Sequence, residues 1–113
     1  MNKTDCIFCK IANKEINTNL ILETKDYVAF HDINPEAPVH ALIIPKEHYA
    51  SLNETDNAEL MGKLLLGARE TAKKLGIGND YRVVINTGEE AGQTVFHIHL
   101  HILGGRPMLW PPG

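Results

Sequence analysis

Three histidines stand at every second position near the C-terminal end of the chain, in the run FHIHLHIL at residues 96–103. Successive side chains of a β-strand point to opposite faces, so His97, His99 and His101 are predicted to share one face. The aliphatic residues between them would share the other face and pack beneath a helix. This pattern predicts a strand over residues 95–103 with a buried apolar face and an opposite face made of imidazoles.

Three explanations of the imidazole face follow from the residues. A surface strand often carries a single histidine, and three in strict alternation make this explanation the weakest. Histidines two positions apart on a strand can bind one zinc ion together. Alternatively, one neutral imidazole acts as a nucleophile or base while a hydrogen bond to its other nitrogen fixes the tautomer. An unperturbed pKa of about 6.5 leaves such a histidine largely neutral at pH 7.

The loop before the histidines, residues 87–94, favours chemistry on a phosphate. Gly88 and Gly92 allow close approach of the backbone. Gln93 and Thr94 add an amide and a hydroxyl. Groups of this kind can bind phosphoryl oxygens. The loop therefore favours a nucleophilic histidine over a catalytic zinc site.

The rest of the chain is predicted to form an α+β domain over residues 1–113. A short helix is predicted at residues 6–13, a long helix at 56–75, and further strands at 20–24, 27–32, 40–45 and 80–86. The long helix has one apolar stripe, made of Met61, Leu64, Leu65, Ala68, Ala72 and Leu75. Thr55 or Asp56 is expected to cap its start, and Gly76 to end it in the left-handed conformation. Short turns favour antiparallel pairing, so we expect a five-stranded sheet with both helices on one face.

Composition argues against two classes of partner. The 113 residues carry a net charge of −3 and no basic stripe, so no nucleic-acid partner is expected. No apolar run approaches the roughly 20 residues that span a bilayer, so no membrane partner is expected. The N-terminal segment turns polar too early for a signal peptide, and a cytoplasmic location is expected.

Cys6 and Cys9 are the only cysteines, and their spacing is C-x-x-C. In a reducing compartment this spacing is typical of a metal clip or a redox pair. Redox motifs of this kind follow a strand in a βαβ unit, and no such unit surrounds these cysteines. The residues alone therefore favour a metal clip, with an inert pair as the alternative.

These motifs together resemble the histidine triad (HIT) family of nucleotide hydrolases and transferases. HIHLHIL matches the family signature of three histidines separated by apolar residues. The similarity extends to IFCKI near the start, AFHDINPEAPVHALIIPKEH in the middle, and GQTVFHIHLHILGGRPMLWPPG at the end. The WPPG ending resembles the HINT branch, the adenosine phosphoramidases. The resemblance implies a HIT-like fold, a homodimer with a continuous ten-stranded sheet, and a site for a purine nucleoside monophosphate or phosphoramidate.

The resemblance also implies roles for individual residues. His99 would attack the α-phosphorus, His101 would hydrogen-bond the phosphate and assist the leaving group, and His40 would support them. The phosphate would be bound by Asn86, Gln93, Thr94 and Val95. The nucleoside would be bound by Asp32 at the ribose and by Phe8, Ile11, Phe30, His31 and Ile33 around the base. On the residues alone, Phe8, Phe30 and Ile33 would be assigned to the core. Trp110 would either reach the partner subunit's site or anchor the dimer.

A structural zinc site is implied by the same resemblance. Its ligands would be Cys6, Cys9, His48 and His97, and no metal would be required for the chemistry. Two thiolates and two imidazoles make a closed tetrahedral site, which is typical of a structural zinc. The histidines would then divide their work, with His97 on zinc and His99 on phosphorus.

The function expected from this reasoning is hydrolysis of nucleoside 5′-phosphoramidates through a nucleotidyl-histidine intermediate. Hydrolysis of dinucleoside polyphosphates is the alternative within enzymes, and the WPPG ending argues against it. A nucleotide-binding regulatory protein with incidental catalysis is the alternative from another class. A zinc-dependent hydrolase that uses all three histidines is the weakest hypothesis.

Overall fold

The computed structural model describes residues 5–113. Its helices are α1 (Ile7–Ala12) and α2 (Ala58–Lys74), and its strands are β1 (Leu20–Glu23), β2 (Tyr27–His31), β3 (Val39–Pro45), β4 (Tyr81–Val84) and β5 (Leu100–Gly104). Short 3-10 turns lie at Leu52–Glu54 and Glu89–Ala91. The five strands form one sheet in the order β1-β2-β3-β5-β4, with every neighbouring pair antiparallel. The predicted α+β fold, a five-stranded antiparallel sheet with one long and one short helix, is confirmed.

The strand that carries the histidines is shorter than predicted. β5 begins at Leu100, so His97 and His99 precede the strand and only His101 lies within it. Pairing with β3 stops at Ile43 and Leu100, because Pro45 has no N–H to continue the ladder. The backbone N–H of Ile98 instead donates to the carbonyl of Tyr49 at 2.8 Å. The segment before β5 is therefore held by tertiary contacts rather than by sheet pairing.

The two helices pack on opposite faces of the sheet, so the prediction that they share one face was wrong. α2 covers the face that contains Ala29, Ala41 and Ile43. α1 covers the face that contains the alternate residues Val28 and Phe30 of β2 and Leu42 and Ile44 of β3. The centre of the sheet is apolar on both faces, so each face requires its own cover. The aliphatic residues between the histidines lie on the α2 side, as predicted.

α2 begins one or two residues later than predicted, because Asn57 is its N-cap. The Asn57 side chain accepts a hydrogen bond from the N–H of Leu60 at 3.0 Å. Gly76 ends the helix at φ +80°, as predicted, and its N–H donates to the Lys73 carbonyl at 3.1 Å. No helix within residues 5–113 is long and apolar enough to cross a membrane.

The buried face of α2 is rotated relative to the predicted stripe. Leu64, Ala68 and Ala72 are buried as predicted, whereas Leu65 is 52% exposed and Leu60 is buried instead. Gly67 also faces the sheet. A Cβ at this position would lie 2.6 Å from Cδ1 of Ile43. The absence of a side chain here lets the helix approach the sheet closely.

Candidate functional site

His99 is buried beside α1 in a single hydrogen-bonded orientation. Its Nδ1 lies 2.8 Å from the carbonyl oxygen of His97, and only a protonated Nδ1 can donate to that acceptor. The lone pair of a neutral His99 is therefore on Nε2. The ring of Phe8, from α1, stands edge-on to His99 with centroids 5.1 Å apart. This arrangement fixes both the tautomer and the plane of the imidazole.

His101 is held in the complementary tautomer by a chain of hydrogen bonds. The backbone N–H of Glu36 donates to Nδ1 of His40 at 2.9 Å, so the ring proton of a neutral His40 is on Nε2. Nε2 of His40 lies 2.9 Å from Nδ1 of His101 and donates to it. His101 must then carry its own proton on Nε2. Asp32 lies at the same junction, with its Oδ2 3.3 Å from Nε2 of His40.

The imidazoles of His99 and His101 are both neutral at pH 7. Burial lowers the pKa of His101 to about 4, with smaller contributions from His99 and His40 and an opposing one from Asp32. Burial also lowers the pKa of His99, although the hydrogen bond to the His97 carbonyl opposes this shift. The rings of His99 and His101 lie with centroids 5.0 Å apart. The site therefore places an acceptor imidazole beside a donor imidazole.

The loop before the histidines is organised around the buried side chain of Gln93. Its Oε1 accepts from the N–H of Gly88 at 2.9 Å, and its Nε2 donates to the carbonyls of Ala50 at 2.7 Å and Val95 at 3.1 Å. Its backbone N–H donates to the Gly88 carbonyl at 3.0 Å. All donors of Gln93 are thus used inside the protein, and a contact of Gln93 with phosphate stays a prediction. Gln93 holds the loop in shape.

Other predicted phosphate ligands lie on the open side of this loop. Thr94 is exposed and Val95 is half-buried. Among residues 5–113, no partner accepts a hydrogen bond from the backbone N–H of Thr94 or Val95. The Asn86 amide lies beside Gly92, 3.5 Å from the position a Cβ there would take. These groups are free to donate to an anion.

The residues predicted to bind the nucleoside divide into a buried and an exposed group. Phe8, Ile11 and Phe30 belong to the cluster between α1 and the sheet. His31 is exposed and Ile33 is 90% exposed, so the assignment of Ile33 to the core was wrong. Oδ1 of Asp32 accepts from the N–H of Asn34 at 2.8 Å, which closes the turn after β2.

Cys6, Cys9, His48 and His97 come together as predicted and could hold a metal ion. Their four ligand atoms lie within 4.8 Å of one another. Nδ1 of His97 lies 3.4 Å from Sγ of Cys6 and 3.5 Å from Sγ of Cys9, and Nδ1 of His48 lies 3.2 Å from Sγ of Cys9. A tetrahedral zinc ion with its usual bond lengths separates sulfur and nitrogen ligands by about 3.5 Å. The spacing therefore fits a small tetrahedral ion.

A hydrogen bond at Nε2 of His97, on the side of the ring away from the cysteines, orients His97 as a metal ligand. Its Nε2 donates to the carbonyl of Pro45 at 2.8 Å, which leaves the lone pair on Nδ1 facing the cysteines. Burial lowers the pKa of His97 to about 4, so the ring is neutral. Asp32, His40 and His101 form a second group with metal-like spacing. Its nitrogens share a proton instead, because the Glu36 N–H directs the His40 proton to Nε2.

Two main-chain groups of the site were missed by reasoning from the sequence. The N–H of Glu36 and the carbonyl of Pro45 select the tautomers of His40 and His97. Every residue except proline has an N–H, and every residue has a carbonyl, so residue type carries no signal for such contacts. Both residues adjoin predicted proline breaks or strand ends, which is the nearest hint that the sequence contains.

The fold and the site define a class of protein in which two neighbouring neutral histidines in opposite tautomers follow a glycine-containing loop on an α+β sheet. A family model, the HIT domain, matches residues 13–108. The chain therefore belongs to the HIT family.

Relatives are similar over almost the whole chain. An uncharacterized HIT-like protein from Synechocystis is 53% identical over 111 residues, which cover 96% of this chain and 97% of the relative. The crystal structure of a HIT family hydrolase from Legionella pneumophila superposes with a TM-score of 0.92 at 47% identity, covering 96% of this chain and 100% of that chain. A histidine triad nucleotide-binding protein from Candida albicans superposes with a TM-score of 0.80 at 35% identity, covering 87% and 73% of the two chains.

Proposed function

We propose that this protein hydrolyses nucleoside 5′-phosphoramidates, such as lysyl-AMP or AMP-NH2, and releases a nucleoside monophosphate. The observation that carries the proposal is the opposite tautomers of His99 and His101. His99 presents a lone pair on Nε2, and His101 presents an N–H on Nε2. A nucleophile and a hydrogen-bond donor side by side suit displacement at phosphorus.

In the first step, the Nε2 lone pair of His99 attacks the α-phosphorus and the P–N bond to the amine breaks. The product is a nucleotidyl-histidine with the Nδ1–H still bound to the His97 carbonyl. The leaving nitrogen takes one proton from solvent and departs as an amine. His101 donates its Nε2–H to a phosphoryl oxygen or to the leaving nitrogen and keeps its proton, since the chain through His40 contains no spare one.

In the second step, water attacks the same phosphorus and the bond to Nε2 of His99 breaks. The monophosphate leaves with the water oxygen, and one proton returns to solvent. His99 recovers its neutral state with the lone pair on Nε2. Division into two displacements replaces one slow attack by water with two faster steps.

Substrate binding is assigned to groups around the two imidazoles. The free N–H groups of Thr94 and Val95, with the Asn86 amide, would bind the phosphate. The Asp32 carboxylate would bind the ribose hydroxyls. Phe8, Ile11, Phe30, His31 and Ile33 would surround the base. A monophosphate bound here would place its phosphorus near His99, because the loop leads directly into the histidine segment.

The branch of the family is also a proposal. The WPPG ending favours the HINT branch, and hence phosphoramidates over dinucleoside polyphosphates. Nucleotide binding without significant catalysis is the second candidate function, and the nucleotide-binding protein from Candida albicans favours it by name. The preformed nucleophile of this chain argues for catalysis, because binding alone does not require a fixed tautomer on a buried histidine.

A structural zinc ion is proposed for the cluster of Cys6, Cys9, His48 and His97. The sulfur–nitrogen spacing and the neutral, pre-oriented His97 support it. When bound, zinc would link α1 to the segments after β3 and before β5, and the chemistry would require no metal. We further propose a cytoplasmic homodimer without nucleic-acid or membrane partners.

The dimer proposal is supported by one edge of the sheet. β4 is an edge strand whose four residues are all half-buried. A cleft of about 860 Å³ lies beside it, between the end of α2 and the C-terminal segment. Pairing of β4 with its copy would give a continuous ten-stranded sheet. Trp110 is 82% exposed, so it is available to contact a partner subunit.

The test of the function is capture of the intermediate. The protein is incubated with adenosine phosphoramidate, quenched in acid within the first turnover and digested, and the peptides are examined by mass spectrometry. An AMP adduct on His99 alone among the six histidines is expected. His99→Ala should bind AMP but form neither adduct nor product. Full turnover by His99→Ala would refute the nucleophile, and nucleotide binding without turnover by the unaltered protein would favour the second candidate.

A further inference from the structure

We propose that the backbone N–H of Glu36 sets the proton positions of the site, and that Arg106 is a positioning residue that holds this peptide in place. The proposal concerns how the site is oriented and does not depend on which phosphorus compound is cleaved. Its consequence for rate rests on the proposed function. Its primary measurement, the tautomer of His40, does not depend on the proposed function.

The N–H of Glu36 is the first donor of a directed chain. It donates to Nδ1 of His40 at 2.9 Å, and Nε2 of His40 lies 2.9 Å from Nδ1 of His101. His40 is 5% exposed, so water is largely excluded from its ring. A donor aimed at Nδ1 leaves Nε2 as the only position for the proton of a neutral His40. This peptide group therefore fixes the acceptor nitrogen of His40, and the Asp32 carboxylate near Nε2 favours the same direction of the chain.

If the hydrogen-bond chain from Glu36 through His40 to His101 ran in the opposite direction, the site would be disabled. With its proton on Nδ1, His40 would offer a lone pair to His101, and His101 would have to donate from Nδ1. Nε2 of His101 would then be an acceptor that faces the phosphate. A lone pair directed at an anionic phosphoryl oxygen is repulsive, whereas an N–H stabilises the charge that develops there. Nε2 of His40 would also turn a lone pair towards the Asp32 carboxylate, 3.3 Å away.

Arg106 connects this peptide to the end of the sheet. Its Nη2 donates to the carbonyl of Glu36 at 3.1 Å, and its Nη1 donates to the carbonyl of Pro107 at 3.0 Å. The neighbouring Gly105 has φ +91° and lies against Pro38, where a Cβ would approach the proline ring to 2.9 Å. The loop that contains Glu36 is thus held from the segment that follows β5, the strand that carries His101.

The first experiment uses the unaltered protein. Long-range 15N–1H NMR spectra distinguish protonated from unprotonated ring nitrogens, and the His40 signals are assigned by their loss in His40→Gln. The expected result is an unprotonated Nδ1 and a protonated Nε2 on His40, and the same pattern on His101. A protonated Nδ1 on His40 would overturn the proposal without any variant at Glu36.

The second experiment removes the donor. Glu36→Pro has no N–H, and Glu36→Ala keeps the N–H while losing the same carboxylate. The proline variant should show mixed His40 tautomers and a roughly three- to tenfold lower single-turnover rate than the alanine variant, in line with one lost hydrogen bond. A folded Glu36→Pro protein with a pure Nε2 tautomer and the rate of Glu36→Ala would overturn the proposal.

Arg106→Ala provides a test that leaves the Glu36 N–H in place. The loop loses its tie to the C-terminal segment, so a partial tautomer mixture is expected, and Arg106→Lys should restore part of the pattern. An unchanged His40 tautomer in Arg106→Ala would refute the role of Arg106. Failure of the proposed function would look different, since His99 would then form no adduct while the His40 tautomer remained as described.

Discussion

Replacement of Gln93 by leucine should destabilise the fold, although Gln93 stands in a loop that was predicted to bind phosphate. The side chain is 2% exposed and makes three hydrogen bonds, to Gly88, Ala50 and Val95. Leucine fills a similar volume and can make none of them. One N–H and two carbonyls, all on half-buried residues, would lose their partner.

The magnitude follows from the count of lost contacts. A net contribution of about 1 kcal/mol per hydrogen bond predicts a loss of about 3 kcal/mol in the free energy of unfolding. For a domain of this size, about 3 kcal/mol corresponds to a fall in Tm of roughly 12 °C. The loop should also lose the shape that exposes the N–H groups of Thr94 and Val95, so AMP binding should weaken as well.

Urea unfolding followed by circular dichroism measures the first effect, and titration calorimetry with AMP measures the second. All proteins are compared at one protein concentration, because the proposed dimer would unfold in a concentration-dependent way. Glu90→Gln, on the exposed side of the same loop, is the matched control and should unfold like the unaltered protein. Weaker AMP binding with a change of less than about 0.5 kcal/mol in stability would refute this reasoning and would favour Gln93 as a direct phosphate ligand.

Three further predictions test the metal cluster, the helix contact and the titration of the site. Cys9→Ser should abolish stoichiometric zinc in metal analysis and lower Tm; equal zinc in both proteins would remove the cluster as a metal site. Gly67→Ala should destabilise by about 1–3 kcal/mol because its Cβ would lie 2.6 Å from Ile43, whereas Gly62→Ala, with open space around it, should stabilise by about 0.5–1 kcal/mol. Urea titrations that show both changes neutral would contradict the close packing of α2. Because burial lowers the pKa of His101 to about 4, folding favours its neutral form, so this contribution is present above about pH 6.5 and is lost as pH falls through about 4. His101→Gln should therefore lose less stability than the unaltered protein between pH 6.5 and 4, and parallel curves would exclude His101 as the cause.

Much of the secondary structure was predictable because its signals are local. Gly76 ends α2 as expected, since a left-handed residue after a helix favours glycine whatever surrounds it. The alternation of histidines with aliphatic residues correctly placed Ile98, Leu100 and Ile102 in the core. The predicted boundaries of the helices and strands were less accurate. Asn57 competes with Thr55 and Asp56 as a cap, and all three residue types suit that position.

The arrangement of elements depended on contacts between distant residues. The apolar run of β3 is compatible with cover on one face or on both, and the periodicity of the short α1 does not choose a face. β5 starts late because Pro45 lies on the strand opposite, 53 residues before Ile98 in the chain. A local sequence pattern could not predict that pairing, because it forms only when the two strands come together in the fold.

The sequence by itself determined which side chains were available for chemistry and metal binding, and the similarity of their pattern to the HIT family. It brought Cys6 and Cys9 within one helical turn, and it put the histidines in alternation. Only the tertiary structure decided which nitrogen of each imidazole carries the proton. Three histidines of identical chemistry do not share one tautomer. His97 and His101 carry the ring proton on Nε2, whereas His99 carries it on Nδ1, because different groups contact their nitrogens: the Pro45 carbonyl at His97, the His97 carbonyl at His99, and the His40 N–H at His101. An acceptor draws the ring proton to its side and a donor excludes the proton from its side, and most of these partners are main-chain groups or side chains of distant segments.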